Sequence, residues 1–180
     1  EANLVFETTQ KTVTLNVDKD NNGVADTVEV DMLTIGAVDI NGFAGIKNSV
    51  GFDVKDLDLA MLIMTERNVA KADARKWSAL KATADSLSFK GASILTISGS
   101  GSVVINENAT DDSLVDFTET NISIDPQNSV TPLVFDIKKT DSSLLAIDGT
   151  FSVSVADFLE IEQHLSIELA FKTMKLSANE

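Results

Sequence analysis

The chain has 180 residues, no cysteine and a formal net charge of −14, with a pI near 4.3. These figures exclude disulfide stapling and thiolate-bound zinc, and they argue against nucleic acid or anionic lipid as partners, since both need a basic face. Apolar residues make up 43% of the chain, enough for a buried core, while the longest apolar run, LAMLIM at 59–64, is far too short to insert in a membrane as a helix.

The opening EANLVFE has neither the basic start nor the apolar stretch of a leader peptide. The chain therefore reads as one β-rich module over residues 1–180, excised from something longer. Val13, Leu15 and Val17 alternate with Thr12, Thr14 and Asn16, the pattern of a strand with one buried and one wet face. The alternation breaks at VDKDNNGVADTVEV (17–30) and resumes at Val28 and Val30.

That break concentrates oxygen donors. Counted from Asp18 as position 1, Asp20 is at 3, Asn22 at 5, Gly23 at 6, Val24 at 7, Asp26 at 9 and Glu29 at 12. This is the D-x-[DN]-x-[DN]-G-x5-E spacing of a calcium loop. Side chains at 1, 3 and 5 turn inward around a hard cation, and glycine at 6 allows the sharp turn. Val24 offers a carbonyl, and a carboxylate at 12 closes the shell. The expected ligands of Ca2+ are thus Asp18, Asp20, Asn22, Val24, Asp26 and Glu29. The competing reading is a metal-free hairpin turning on Asn22-Gly23. The flanks are β-branched, not helical. A strand that begins at Thr27 can turn Glu29 away, leaving Asp26 or Asp31 to take its place.

Farther along, glycines with polar neighbours at 41–42, 99–101 and 148–149 predict turns or bends, and Pro126 and Pro132 bracket another turn. DVKDLDL (53–59) gathers Asp53, Asp56 and Asp58 and reads as a solvated strand edge before a second cation site. Residues 70–85 are rich in Ala, Lys and Leu. Trp77, Leu80, Ala84 and Leu87 would share a helical face with Asp73 as N-cap, so helix and strand are both open there. Trp77 reads as a core anchor rather than a sugar platform. TDDS (110–113) reads as an exposed loop. His164, the single histidine, lies near Glu162 and Glu168, but no nucleophile–base order accompanies it, so no enzyme is expected. A weak internal echo relates 40–54, 91–105 and 155–169, each read as strand, bend, strand.

GFAGIKNSVGFDVKDLDLAMLIM, RKWSALKATADSLSFKG and DGTFSVSVADFLEIE, with VDKDNNGVADT, resemble the repeat or extender modules of giant acidic bacterial surface proteins, the adhesin-like and RTX-associated class. The glycine-rich nonapeptide of true RTX repeats is absent. The resemblance implies secretion to the bacterial cell surface and a calcium-stiffened spacer or adhesion role, with neighbouring modules or identical subunits as partners. The expected fold is all-β and mainly antiparallel, a sandwich or an elongated stack of β-units. Two alternatives are a self-assembling filament or surface-layer subunit, and a calcium-dependent carbohydrate-binding module with a glycan partner.

Overall fold

The computed structural model of the chain describes residues 3–46, 50–92, 95–126, 131–155 and 159–171. The alternating segments form strands, as their period of two dictates. Seven long strands make one antiparallel sheet: β1 (Asn3–Thr14), β2 (Thr27–Ile46), β3 (Val50–Glu66), β4 (Lys76–Ala92), β5 (Leu95–Glu107), β8 (Ser143–Val155) and β9 (Leu159–Phe171). They lie side by side in that order, with β1 and β9 at the edges. A short pair, β6 (Ser123–Ile124) with β7 (Leu133–Val134), belongs to the long connection between β5 and β8. All-β, mainly antiparallel architecture is therefore what the sequence folds into.

Because the strands run up and down in turn, the connections fall at two ends. The loops 15–26, 67–75 and 108–142 share one end, here the near end, and the β2–β3, β4–β5 and β8–β9 hairpins share the far end. The 108–142 segment folds over one face of the sheet. Its Val115, Phe117, Ile122, Ile124, Phe135 and Ile137 pack on Val13, Leu15, Val30, Met32, Leu62, Met64 and Trp77 from the strands. Burying each such side chain contributes about 1.5–3 kcal/mol. Leu15 also forms a β-bridge to Val115, and Phe117 stacks on Phe135 at 5.6 Å between ring centroids. Close approach is built in at Gly36, where a Cβ would stand 2.5 Å from Ile124 Cγ2.

Several local expectations are corrected. The 70–85 segment is not a helix: a turn at 71–73 leads into β4 from Lys76. Trp77 and Ala79 point into the core while Ser78 and Leu80 point away, and β4 pairs on both sides, with β3 and β5. Cross-strand pairing on both flanks outweighs the helix preference of Ala, Lys and Leu, which amounts to tenths of a kcal/mol per residue. The glycines at 42, 99, 101 and 149 sit inside strands, not turns. Neighbouring backbone and the Phe151 ring explain two of them: a Cβ on Gly99 would stand 2.5 Å from the Thr150 carbonyl oxygen and 2.8 Å from the ring, and one on Gly149 2.7 Å from the Ser100 carbonyl oxygen and 3.1 Å from the ring. Asp53, Asp56 and Asp58 lie on β3, an inner strand paired with β2 and β4, so they do not mark a sheet edge. The echo does not mark equivalent units: Ile46 ends β2 in the first copy, whereas Ile97 and Ile161 lie near the starts of β5 and β9 in the others. The turn expected between Pro126 and Pro132 falls largely outside the described residues.

Candidate metal centre

The loop between β1 and β2 is closed at its neck by backbone hydrogen bonds. Leu15 N–H donates to the Asp26 carbonyl and Asp26 N–H to that of Val17, both at 2.8 Å. Asn16 ties the neck to the covering segment: its N–H reaches the Leu114 carbonyl at 2.9 Å, and its Oδ1 accepts from Leu114 N–H at 2.8 Å. Inside the loop, Asn21 and Gly23 take left-handed conformations, with φ of 54° and 86°. Asn and Gly are the residues that accept this at least cost.

These turns fold the donors inward. One oxygen from each of Asp18, Asp20 and Asp26 lies within 4.8 Å of the others. Gly23 N–H donates to Asp18 Oδ2 at 2.8 Å, and Asn22 N–H reaches Asp18 Oδ1 and Asp20 Oδ1, each at 3.2 Å. Asn22 Nδ2 donates to Asp20 Oδ2 at 2.8 Å, and Asn22 Oδ1 accepts from Val24 N–H at 2.8 Å. Lys19 N–H contacts Asp26 Oδ2 at 3.3 Å. The Gly23 N–H, foremost among its neighbours, holds the Asp18 carboxyl below the usual carboxylate range. Val24 is exposed.

Glu29 is not brought to this trio. Alternation along β2 puts Val28 and Val30 in the core, so Glu29 and Asp31 face the other side. There Glu29 Oε2 accepts from Asn68 Nδ2 at 2.7 Å, and the Arg67 guanidinium lies 3.7 Å from Glu29 and 3.2 Å from Asp31. The sequence-expected set thus divides: Asp18, Asp20 and Asp26 converge, Asn22 lies in the same loop bonded to Asp20 and Val24, and Glu29 and its substitute Asp31 stay on β2, tied to Asn68 and Arg67 of the β3–β4 turn.

The converged donors are all hard oxygens, suited to calcium or magnesium and unsuited to softer metals. Among the described residues no second carboxylate group of this kind is drawn together.

Beside the loop stands a charge cluster that local reading missed. Arg75 binds Glu66 through two hydrogen bonds, Nε at 2.8 Å and Nη2 at 2.7 Å, and reaches Asp111 Oδ2 at 3.0 Å. Its guanidinium lies over the Trp77 ring, 5.2 Å from the centroid. Trp77 Nε1 donates to the Ser113 carbonyl at 2.9 Å. Lys19, inside the candidate metal loop, also pairs with Asp111. TDDS, expected as an exposed loop, therefore supplies a linchpin. Burial works to raise the Asp111 carboxyl but is outweighed by Lys19, Ser113 and Arg75, which leave it far below its ordinary value. Glu66 is lowered chiefly by its hydrogen bond from Arg75, which is itself raised by Glu66 first and Asp111 after it. One sequence signal pointed here: the chain's two arginines, Arg67 and Arg75, bracket a single turn.

His164 lies exposed on β9 with Nε2 3.3 Å from Asp148 Oδ2, while Glu168 pairs with Lys138 at 2.6 Å. Trp77, 2% exposed, is a core residue. Compared with known proteins, the chain matches no family model, no curated protein and no solved structure.

Proposed function

We propose that this chain is a calcium-stabilised structural or adhesion module, a spacer or repeat of a bacterial surface protein that works outside the cell. The observation that carries the reading is the convergence of Asp18, Asp20 and Asp26 within 4.8 Å in a loop that joins two neighbouring strands. Three carboxylates at that distance repel one another, and a divalent ion relieves the repulsion. The neck bonds to Leu114 give such an ion a mechanical role, because closing the loop also fixes the contact between β1 and the covering segment. Extracellular calcium modules bind at about 10⁻⁴ to 10⁻³ M, so calcium would fill the site outside the cell and leave it in the cytosol.

The test is thermal melting in EDTA, then in about 10 mM calcium, then in equal magnesium. At these affinities calcium stabilises by about 1.4–2.7 kcal/mol, a rise of about 3–10 °C for a chain of this size. Asp20→Ala abolishes most of the rise. Identical melts in EDTA and calcium sink the proposal. A second reading, a self-assembling filament or layer subunit, draws support from β1 and β9, each paired on one side only among the described residues, which offer strand-addition sites. A carbohydrate-binding role would need an aromatic platform other than the buried Trp77.

A further inference from the structure

We infer that the side of the sheet that no described residues cover, here the uncovered side, is an interface for a second copy of this chain. Residues paired across antiparallel strands share a side, so the register gives the chemistry of each face row by row. One row on the uncovered side runs Leu4, Ala37, Leu59, Ala82, Val103, Ile147, Ile167 across all seven strands. The rows from Ile35 and Met61 to the far end repeat that chemistry: apolar or glycine, with Gln163 the one polar residue and no charge among the register-paired positions. The covered side differs. Beyond the reach of the 108–142 segment it presents rows such as Thr83, Ser102, Asp148, Ser166. The far half of the sheet is thus wet on one side and oily on the other.

Soluble monomers rarely leave apolar patches larger than a few hundred Å². Six rows along strands rising about 3.3 Å per residue, across strands about 4.8 Å apart, make a patch of about 1,000 Å². Two copies packed on it would bury about 2,000 Å², above the roughly 1,600 Å² of a standard stable interface. The chain exposes 11552 Å², whereas a compact monomer of 19.3 kDa is expected to expose about 8,500 Å². The surplus is more than one copy would bury. A face without charges at its register-paired positions, and with Gln163 its one polar side chain there, complements another of its own kind, and sheet-on-sheet packing about 10 Å apart is how such faces close in β-sandwiches. Lipid is the poorer occupant: among the described residues β1 and β9 end the strand order with one side unpaired, and open sheet edges do not occur in hydrocarbon.

The experiment is sedimentation equilibrium of the whole chain, run in calcium and in EDTA so that the outcome is independent of the metal proposal. The unmodified chain should be a dimer at about 100 μM, an association within reach of an interface this large. Ile167→Lys and Phe52→Lys, at exposed positions of the oily side, should each weaken dimerisation at least about 100-fold by placing a charge in it. Ser152→Lys, on the polar side, should leave it intact, and circular dichroism checks that each variant is folded. Small-angle scattering of the unmodified chain, which needs no variant, should show a two-layer particle. A monomer at this concentration, a dimer joined end to end or edge to edge, or a monomer that floats with phosphatidylcholine vesicles overturns the inference.

Discussion

Replacing Arg75 with methionine tests whether the near end is held by the charge cluster or only by the core. Methionine keeps an apolar stem against Trp77 and removes the guanidinium. The variant loses two hydrogen bonds to Glu66 and one to Asp111. Glu66, with its side chain only 12% exposed, is left without its cation, whereas Asp111 keeps Lys19 and Ser113. Breaking a fully buried pair costs about 3–5 kcal/mol; with both carboxylates partly wet, the loss should be about 2–3 kcal/mol. For a chain of this size that is a fall of about 4–12 °C in Tm. Calorimetry at pH 7 measures it. The cost should shrink as the solution is acidified. Glu66 and Asp111 both have depressed folded values, so their stabilisation is fully present above the ordinary carboxylate range near pH 4 and is lost as the pH falls through the lower, folded values. Parent and variant melts should therefore converge toward pH 2. A loss under about 0.5 kcal/mol at pH 7, the level of an ordinary surface change, or a gap that stays constant with pH, would refute the account.

Lys139→Met should be more damaging than its exposed position suggests. The ammonium lies 2.7 Å from Asp116 Oδ2, whose side chain has no solvent exposure, and stranding that carboxylate should cost about 3 kcal/mol or more in urea denaturation. Asp116 raises the Lys139 ammonium above its ordinary value. The pair's contribution is therefore intact below about pH 10.4 and fades as the pH rises through the folded value, a loss that pH-dependent melts should show in the parent and not in Lys139→Met. Gly149→Ala should destabilise more than Gly101→Ala, since the added Cβ stands 2.7 Å from the Ser100 carbonyl oxygen in the first case and 3.1 Å from that of Asp148 in the second; equal Tm values would contradict this. Gly36→Ala should cost about 1–3 kcal/mol by overpacking, and in an Ile124→Ala background, which lacks the contacted Cγ2, the same glycine change should cost less.

The strands were legible because alternation is local: Val13 to Val17 and Val28 to Val30 declare a buried face within a few residues. The converging part of the acidic loop was legible for the same reason, since Asp18, Asp20, Asn22 and Gly23 lie within one turn of chain. Glu29 was legible only conditionally, as facing away if a strand starts at Thr27, which is where β2 starts; its partners Asn68 and Arg67 were not, because they lie across the sheet. The 70–85 segment misled because its composition suits a helix, while its two partner strands lie elsewhere in the sequence. Gly99, Gly101 and Gly149 resembled turn residues because the need for them, a ring and a neighbouring backbone close by, appears only after pairing. Arg75 and Asp111 are 36 positions apart, and nothing local to either announces the other.

The two halves of the sheet face different physical problems. At the near end, loops converge and 108–142 supplies a second layer, so apolar residues are buried and charges such as Arg75, Glu66 and Asp111 can be paired at its border. At the far end no described segment covers the oily side, and short hairpins leave long strands standing alone. Calcium and a second copy would act on these separate halves. An ion held by Asp18, Asp20 and Asp26 would tighten the loop whose neck Asn16 fastens to Leu114 and whose Lys19 reaches Asp111, so its effect would spread through the Arg75 cluster into the core. Packing against another sheet would remove water from the far rows without touching that cluster. The two effects should therefore be nearly additive, as for sites that share no partners: calcium should raise the melting temperature of dimeric parent and monomeric Ile167→Lys by similar amounts. A calcium increment confined to the dimer would mean that the loop and the oily face are coupled through the sheet.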